Sequence, residues 1–208
     1  MNRSGSTWQF NIVRVLTAGA VGWDQVYGAW IDDYDPDRAE LCHVIKAHRP
    51  EQIAQVAADV TLSSIRDLRA VASSLARMQW LSLDDADAVA RELDEYAAAA
   101  DAWRSATSYV MRYEQMLEAP LAVARETAAA LGLGVAEAQL RAAVEWVDDL
   151  SPPGDTPLGG LNYDPDTQLH AGHIGARSNA ETMATLPPEI RSLIDERYEI
   201  WLRAYGYL

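Results

Sequence analysis

Met1-Asn2-Arg3-Ser4-Gly5-Ser6-Thr7-Trp8 is the stretch on which the fold turns. Small and hydroxylated residues around Gly5 run directly into an apolar series, Trp8, Ile12, Val15, Leu16 and Gly19. That spacing predicts a helix with one buried face. Ser4 to Thr7 then fall at its N-terminus, where unbonded backbone N–H groups and the helix dipole favour an anion. Gly5 allows the backbone close to an oxyanion, and Arg3 places a fixed positive charge beside it. An ordinary capped helix would begin the same way. The stretch is no Walker A loop, because G-x-x-x-x-G-K-[ST] is absent.

Working outward, short apolar strands alternate with helices. Val21 to Trp30 is apolar and aromatic and suits either a strand or a ligand-facing loop. The acidic turn Asp32–Asp37 follows it. Leu41 to Lys46 reads as a buried strand, stopped by His48-Arg49-Pro50. A helix of about ten residues is expected from Pro50, with Ile53, Val56 and Ala57 inward. Val60 to Ile65 is the next strand, and Leu68, Val71, Ala72, Leu75 and Met78 follow at helical spacing. Ser82 and Asp85 predict a capping box for a long helix through Trp103. Ser108 to Arg112 reads as a further strand. Pro120 opens a helix that stops near Gly132, and another is expected over 135–149. Ser151 to Asn179 is a long loop rich in Pro, Gly and Asn, of the kind that carries function or is disordered. A last helix is expected from Pro188 to Tyr205. The alternation implies one α/β domain over residues 1–208, with a short, mostly parallel sheet flanked by helices. Ligands on such sheets sit at the carboxyl ends of the strands.

Composition narrows the partners. The 208 residues carry a formal net charge of −14 and a pI near 4.6, which argues against nucleic acid or an anionic membrane surface. Cationic groups that hold an anion must therefore be gathered locally. Of the 17 basic residues, 16 are arginine, and Lys46 is the one lysine. Cys42 is alone, so no intramolecular disulfide is possible, and its apolar surroundings suggest a buried thiol. No apolar run is long enough to span a membrane and no signal-like segment opens the chain, so a cytoplasmic location is expected. No Cys/His cluster points to a metal.

Three further stretches carry chemistry. Val44-Ile45-Lys46-Ala47-His48-Arg49-Pro50 puts Lys46 and His48 two residues apart at a strand end, on one face. His48 can titrate near neutrality and accept a proton from a hydroxyl, and Lys46 can neutralise developing oxygen charge. In Ser63-Ser64-Ile65-Arg66-Asp67-Leu68-Arg69-Ala70-Val71-Ala72-Ser73-Ser74, two helical turns bring Ser74 back towards the helix start. Arg66 and Ser74 can then hold one phosphate between a guanidinium fork and a hydroxyl. The alternative for Arg66 is an ion pair with Asp67 or Glu114. Tyr109-Val110-Met111-Arg112-Tyr113-Glu114-Gln115-Met116 offers Tyr113 just past a strand.

These stretches, in this order, resemble the sulfotransferases that use 3′-phosphoadenosine 5′-phosphosulfate (PAPS). Arg3-Ser4-Gly5-Ser6-Thr7-Trp8 resembles their 5′-phosphosulfate loop. Lys46-Ala47-His48 resembles K-T-H of the K-T-H-L-P stretch, with Ala47 for Thr and Arg49 for Leu. Arg66 and Ser74 are the surviving anchors of the 3′-phosphate motif R-N-P-x-D-x-x-x-S. Tyr113-Glu114 resembles the start of Y-E-D-[ML]-x-x-[ND]-P, and Gly175 and Arg177 loosely match a late R-K-G loop. The resemblance implies a three-layer P-loop-like fold and sulfuryl transfer from PAPS to a hydroxyl of a small-molecule acceptor. It assigns His48 as base, with Lys46 and Arg3 assisting the leaving phosphate. Ser4, Gly5, Ser6 and Thr7 would bind the phosphosulfate, and Arg66, Ser74, Gly175 and Arg177 the 3′-phosphate. Trp8 and Tyr113 would sandwich the adenine. The family's phosphate loop follows a central β-strand, whereas Met1 and Asn2 alone precede Arg3. Either an upstream strand or another segment is expected in that place. A non-catalytic nucleotide-binding relative is the alternative. A nucleoside-triphosphate kinase is disfavoured by the absence of Walker A and of a magnesium-binding carboxylate.

Overall fold

A computed structural model describes residues 3–54, 56–151, 164–170 and 179–208. In chain order α1 is Ser6–Val21, β1 Val26–Trp30, β2 Cys42–Lys46, β3 Leu62–Ile65, α2 Leu68–Arg77 and α3 Ala86–Ala106. They are followed by β4 Tyr109–Arg112, α4 Tyr113–Glu118, α5 Pro120–Ala130 and α6 Glu137–Asp148. The last elements are α7 Asn179–Met183, α8 Pro188–Arg197 and α9 Glu199–Ala204. The chain is therefore α/β. Its described strands form two separate parallel pairs, β1 with β2 and β3 with β4, rather than one continuous sheet. The segment left open between strand and loop, Val21 to Trp30, holds a strand in its second half.

Helix α1 joins the two pairs. It packs against β1, β2 and β3 on one side and against α5 and α6 on the other. Ile12 and Leu16 enter an apolar cluster with Ala124, Ala128, Leu140, Ala143, Val144 and Val147. Gln9 and Asn11 of the same helix are buried although polar. Gln9 Nε2 donates to the Ser63 carbonyl at 3.0 Å, and the hydroxyls of Ser4 and Ser64 lie 2.7 Å apart. Gln9 thus supplies a donor to one β3 carbonyl, and Ser4 meets a β3 side chain. The second core lies beyond β3, with Ile65, Leu68, Val71, Leu75, Val89, Leu93, Ile190, Ile194, Trp201 and Leu202 packed together.

Four local expectations are corrected. The helix from Pro50 is a single 3-10 turn, Pro50–Ile53. Val56 is half-buried and Ala57 exposed, so a longer helix would have had no apolar face to bury. The long helix begins at Ala86 and its cap is Asp85 itself, whose carboxylate accepts from the Ala88 N–H at 2.9 Å. The last helix breaks at Tyr198, whose hydroxyl lies 2.8 Å from the Ala90 carbonyl and the Asp94 carboxylate. Cys42 is half-buried rather than buried.

Gly5 sets the entry into α1. Its φ of 82° is left-handed, and a Cβ there would lie 3.0 Å from Met111 Cε and Met116 Sδ. At Gly19, inside the same helix, an added methyl group would meet nothing within 4 Å. Gly5→Ala is expected to lower unfolding stability by about 1–2 kcal/mol from the backbone alone. Gly19→Ala should raise it by about 0.5–1 kcal/mol. Urea denaturation of the two variants beside the parent checks both signs.

Candidate functional site

The parallel pairs end where α1 begins, and this brings three cationic side chains together. Arg3 precedes the helix with φ at 60°, a left-handed conformation uncommon for a residue with a side chain. Its Nε donates to Ser74 Oγ at 2.9 Å, and its carbonyl accepts from Arg66 Nη1 at 3.3 Å. Arg66, one residue past β3, lays its guanidinium 3.9 Å from the centre of the Tyr113 ring. Its backbone N–H donates to the Tyr96 hydroxyl at 3.1 Å. Lys46, the last residue of β2, donates from Nζ to Thr7 Oγ1 in the first turn of α1, at 2.6 Å. Arg3, Lys46 and Arg66 are all buried, at 8%, 8% and 4% exposure, in a chain of net charge −14.

Burial of like charges shifts their titration. Desolvation first, and then the charge of Arg3, pull Lys46 from its ordinary 10.5 down to about 7. Desolvation followed by repulsion from Arg77 and Arg66 lowers Arg3 to about 10, with Tyr113 acting in the opposite sense. Burial also lowers Arg66, against the attraction of Tyr113 and Glu114. Asp67, one of the expected partners of Arg66, is gripped instead by Arg69 at 2.6 Å, and its backbone N–H donates to Glu114. An anion beside these desolvated cations would offset part of the cost of burying them.

A cavity of about 340 Å³ opens beside this cluster. Arg3, Gly5, Thr7, Arg66 and Tyr113 line it, and so does Trp8. Apolar side chains complete it, among them Met116, Pro120, Val147 and Leu169. Lys46 and Ser74 reach the lining through the hydrogen bonds to Thr7 and Arg3. The remaining expected residues are placed as follows. Ser4 is fully buried, its hydroxyl turned to Ser64. Ser6 is half-buried as the first residue of α1. Trp8 packs against Met111, Met116 and Val123, and its indole N–H donates to Asp148 at 3.2 Å. Gly175 and Arg177 lie outside the described residues.

His48 stands apart. Strand β2 stops at Lys46, so the alternation that would align the two side chains does not continue to His48. The His48 ring meets Trp30 edge-on, with centroids 4.8 Å apart. Its backbone N–H donates to Gln52 and its carbonyl accepts from the Trp103 indole. It is not among the described residues that line the cavity.

Three contributors to the site fall outside every motif. Asn11 donates to the Thr7 and Thr167 carbonyls, and with Arg14 it holds residues 164–170 against α1, where Leu169 closes the cavity. Tyr96 and Asp148 come from helices far along the chain, and no local pattern marks them. Compared with models of protein families, with curated proteins and with solved structures, the chain finds no match. Among the described residues no helix is long and apolar enough to cross a membrane.

The Lys46 shift fixes a sign. Between pH 7 and 10.5 the unfolded chain holds more of this proton than the folded one, so stability from this group rises with pH. The penalty is complete below pH 7. Lys46→Met should therefore be more stable than the parent at pH 6, and the advantage should shrink as pH climbs through that window. Urea unfolding at several pH values checks it, and a constant difference would mean an ordinary lysine.

Proposed function

We propose that this chain is a PAPS-dependent sulfotransferase on a P-loop-like variant of the α/β fold. The observation that carries the reading is the buried group Arg3, Lys46, Arg66 and Ser74 beside a cavity that also presents Trp8 and Tyr113. Two phosphate groups on one nucleotide would use two sets of cationic donors, and the aromatic side chains would take its base. The resemblance of the four stretches to the family, in the family's order, supports the same assignment.

In the proposed reaction the acceptor hydroxyl loses its proton to His48 as its oxygen bonds to sulfur. The bond from sulfur to the bridging phosphate oxygen breaks, and adenosine 3′,5′-bisphosphate departs. Lys46, Arg3 and the N–H groups at the start of α1 would stabilise the charge that collects on the departing phosphate. Thr7 holds Lys46 in that role through its hydroxyl. A small-molecule acceptor would approach from the Trp30 side, where the His48 ring lies. One observation favours a second reading, a nucleotide-binding protein without chemistry: His48 lies outside the cavity lining.

Thermal unfolding tests the donor. Adenosine 3′,5′-bisphosphate should raise the midpoint well beyond ATP or adenosine 5′-monophosphate, because it alone of the three fills both phosphate positions. Equal shifts from all three would refute the donor assignment. His48→Ala tests the chemistry: turnover should fall by about 10²–10⁴-fold while donor binding is unchanged. The defect should shrink with an acidic nitrophenol acceptor. Full activity on an ordinary alcohol would remove His48 from the base role, and absence of any transfer by the parent chain would favour the second reading.

A further inference from the structure

The proposed nucleotide site contains one carboxylate that neither phosphate binding nor sulfuryl transfer employs. Asp148 is the last residue of α6 and lines the cavity together with Trp8, Val147 and Leu150. A carboxylate is unfavourable there. The C-terminal end of a helix is the negative end of its dipole, and the last turn of α6 contains no basic residue to compensate. Among the described residues its hydrogen-bond partner is the Trp8 indole N–H, 140 positions away in sequence. Trp8 belongs to the first turns of α1, and α1 packs on α6 through Ile12, Leu16, Leu140, Ala143 and Val147. The carboxylate is thereby held at a set distance from the anion-binding start of α1, on a rigid two-helix support. An ionised carboxylate accepts about four hydrogen bonds and donates none. The indole uses one of those positions; the residue is exposed, so the others are open to water and to the cavity that it lines.

Resting on the nucleotide reading above, we infer that Asp148 selects the base: it accepts a hydrogen bond from an exocyclic amino group and rejects a keto oxygen in the same place. Adenine stacked beside Trp8 presents such an amine. Hypoxanthine, identical in size and stacking surface, presents a carbonyl oxygen whose lone pairs would face the carboxylate. A hydrogen bond to a charged group, lost and replaced by repulsion, corresponds to about a 10- to 100-fold difference in affinity.

Titration calorimetry with adenosine 3′,5′-bisphosphate and inosine 3′,5′-bisphosphate tests the inference on the full chain. The parent should favour the adenosine compound by about 10- to 100-fold. Asp148→Asn keeps an acceptor for the Trp8 indole and gains an amide donor, so the preference should vanish or reverse without loss of inosine affinity. Asp148→Ala should also lose the discrimination, and its phosphate affinity, read with inorganic pyrophosphate, should stay at the parental value. Equal binding of both bisphosphates by the parent, or an unchanged ratio in Asp148→Asn, would overturn the inference and leave the nucleotide reading standing. Failure of the parent to bind either compound would overturn both.

Discussion

The hydrogen bond from Lys46 to Thr7 is the contact on which the site depends. It ties the end of β2 to the first turn of α1 across 39 positions of sequence, and it does so with a group that is costly to bury. Removing an ammonium from water costs several kcal/mol in a protein interior even after relaxation, unless an opposite charge comes with it. Here the charge that acts on it is that of Arg3, which is of the same sign. A side chain placed this way is destabilising by itself, and an anion beside it would relieve that cost. The same holds for Arg3, pressed by Arg66 and Arg77. The chain keeps these cations close together in spite of a net charge of −14, so the local field at the start of α1 opposes the sign of the whole molecule.

The architecture follows from the same place. Parallel strands need many residues to return, and the chain makes this return twice: through an irregular connection between β1 and β2, and through α2 and α3 between β3 and β4. Each pair is too narrow to bury its own faces. Helix α1 supplies the missing surface to both, and side chains such as Gln9 and Ser4 provide polar contacts to β3. Polar residues on that helix are therefore structural as well as chemical. Asn11 caps the Thr7 carbonyl and also holds Thr167, so the floor of the cavity and one of its walls share a support.

Much of this arrangement was legible in the residues, for reasons that are local. Gly5 before an apolar period announces a helix start, and short β-rich runs ending at Lys46, Ile65 and Arg112 announce strands. The α/β class follows from that order, as does the position of Arg66 just past a strand end. What was not legible depends on tertiary contact. The run after Pro50 has helical spacing, but past Ile53, which packs on the second core, Ala54 and Ala57 are exposed, so it stays a turn. The C-terminal helix breaks at Tyr198 because the hydroxyl is drawn to Ala90 and Asp94 on α3. Ser74 is engaged by Arg3, a pairing that spacing within its own helix does not reveal. His48 leaves the strand that was expected to carry it, because β2 ends two residues earlier. Asp148 is marked by nothing around it in sequence; its meaning comes from Trp8 across the helix interface.

Lys46 is held desolvated and beside like charge, and its own titration tests this account most directly. Because the chain has one lysine, selective carbon-13 labelling of lysine gives a single side-chain signal that can be followed with pH. A midpoint near 7 is expected for the chain alone, with a rise towards the ordinary 10.5 when adenosine 3′,5′-bisphosphate is added. A midpoint close to 10.5 in the unliganded protein, unmoved by the bisphosphate, would contradict it.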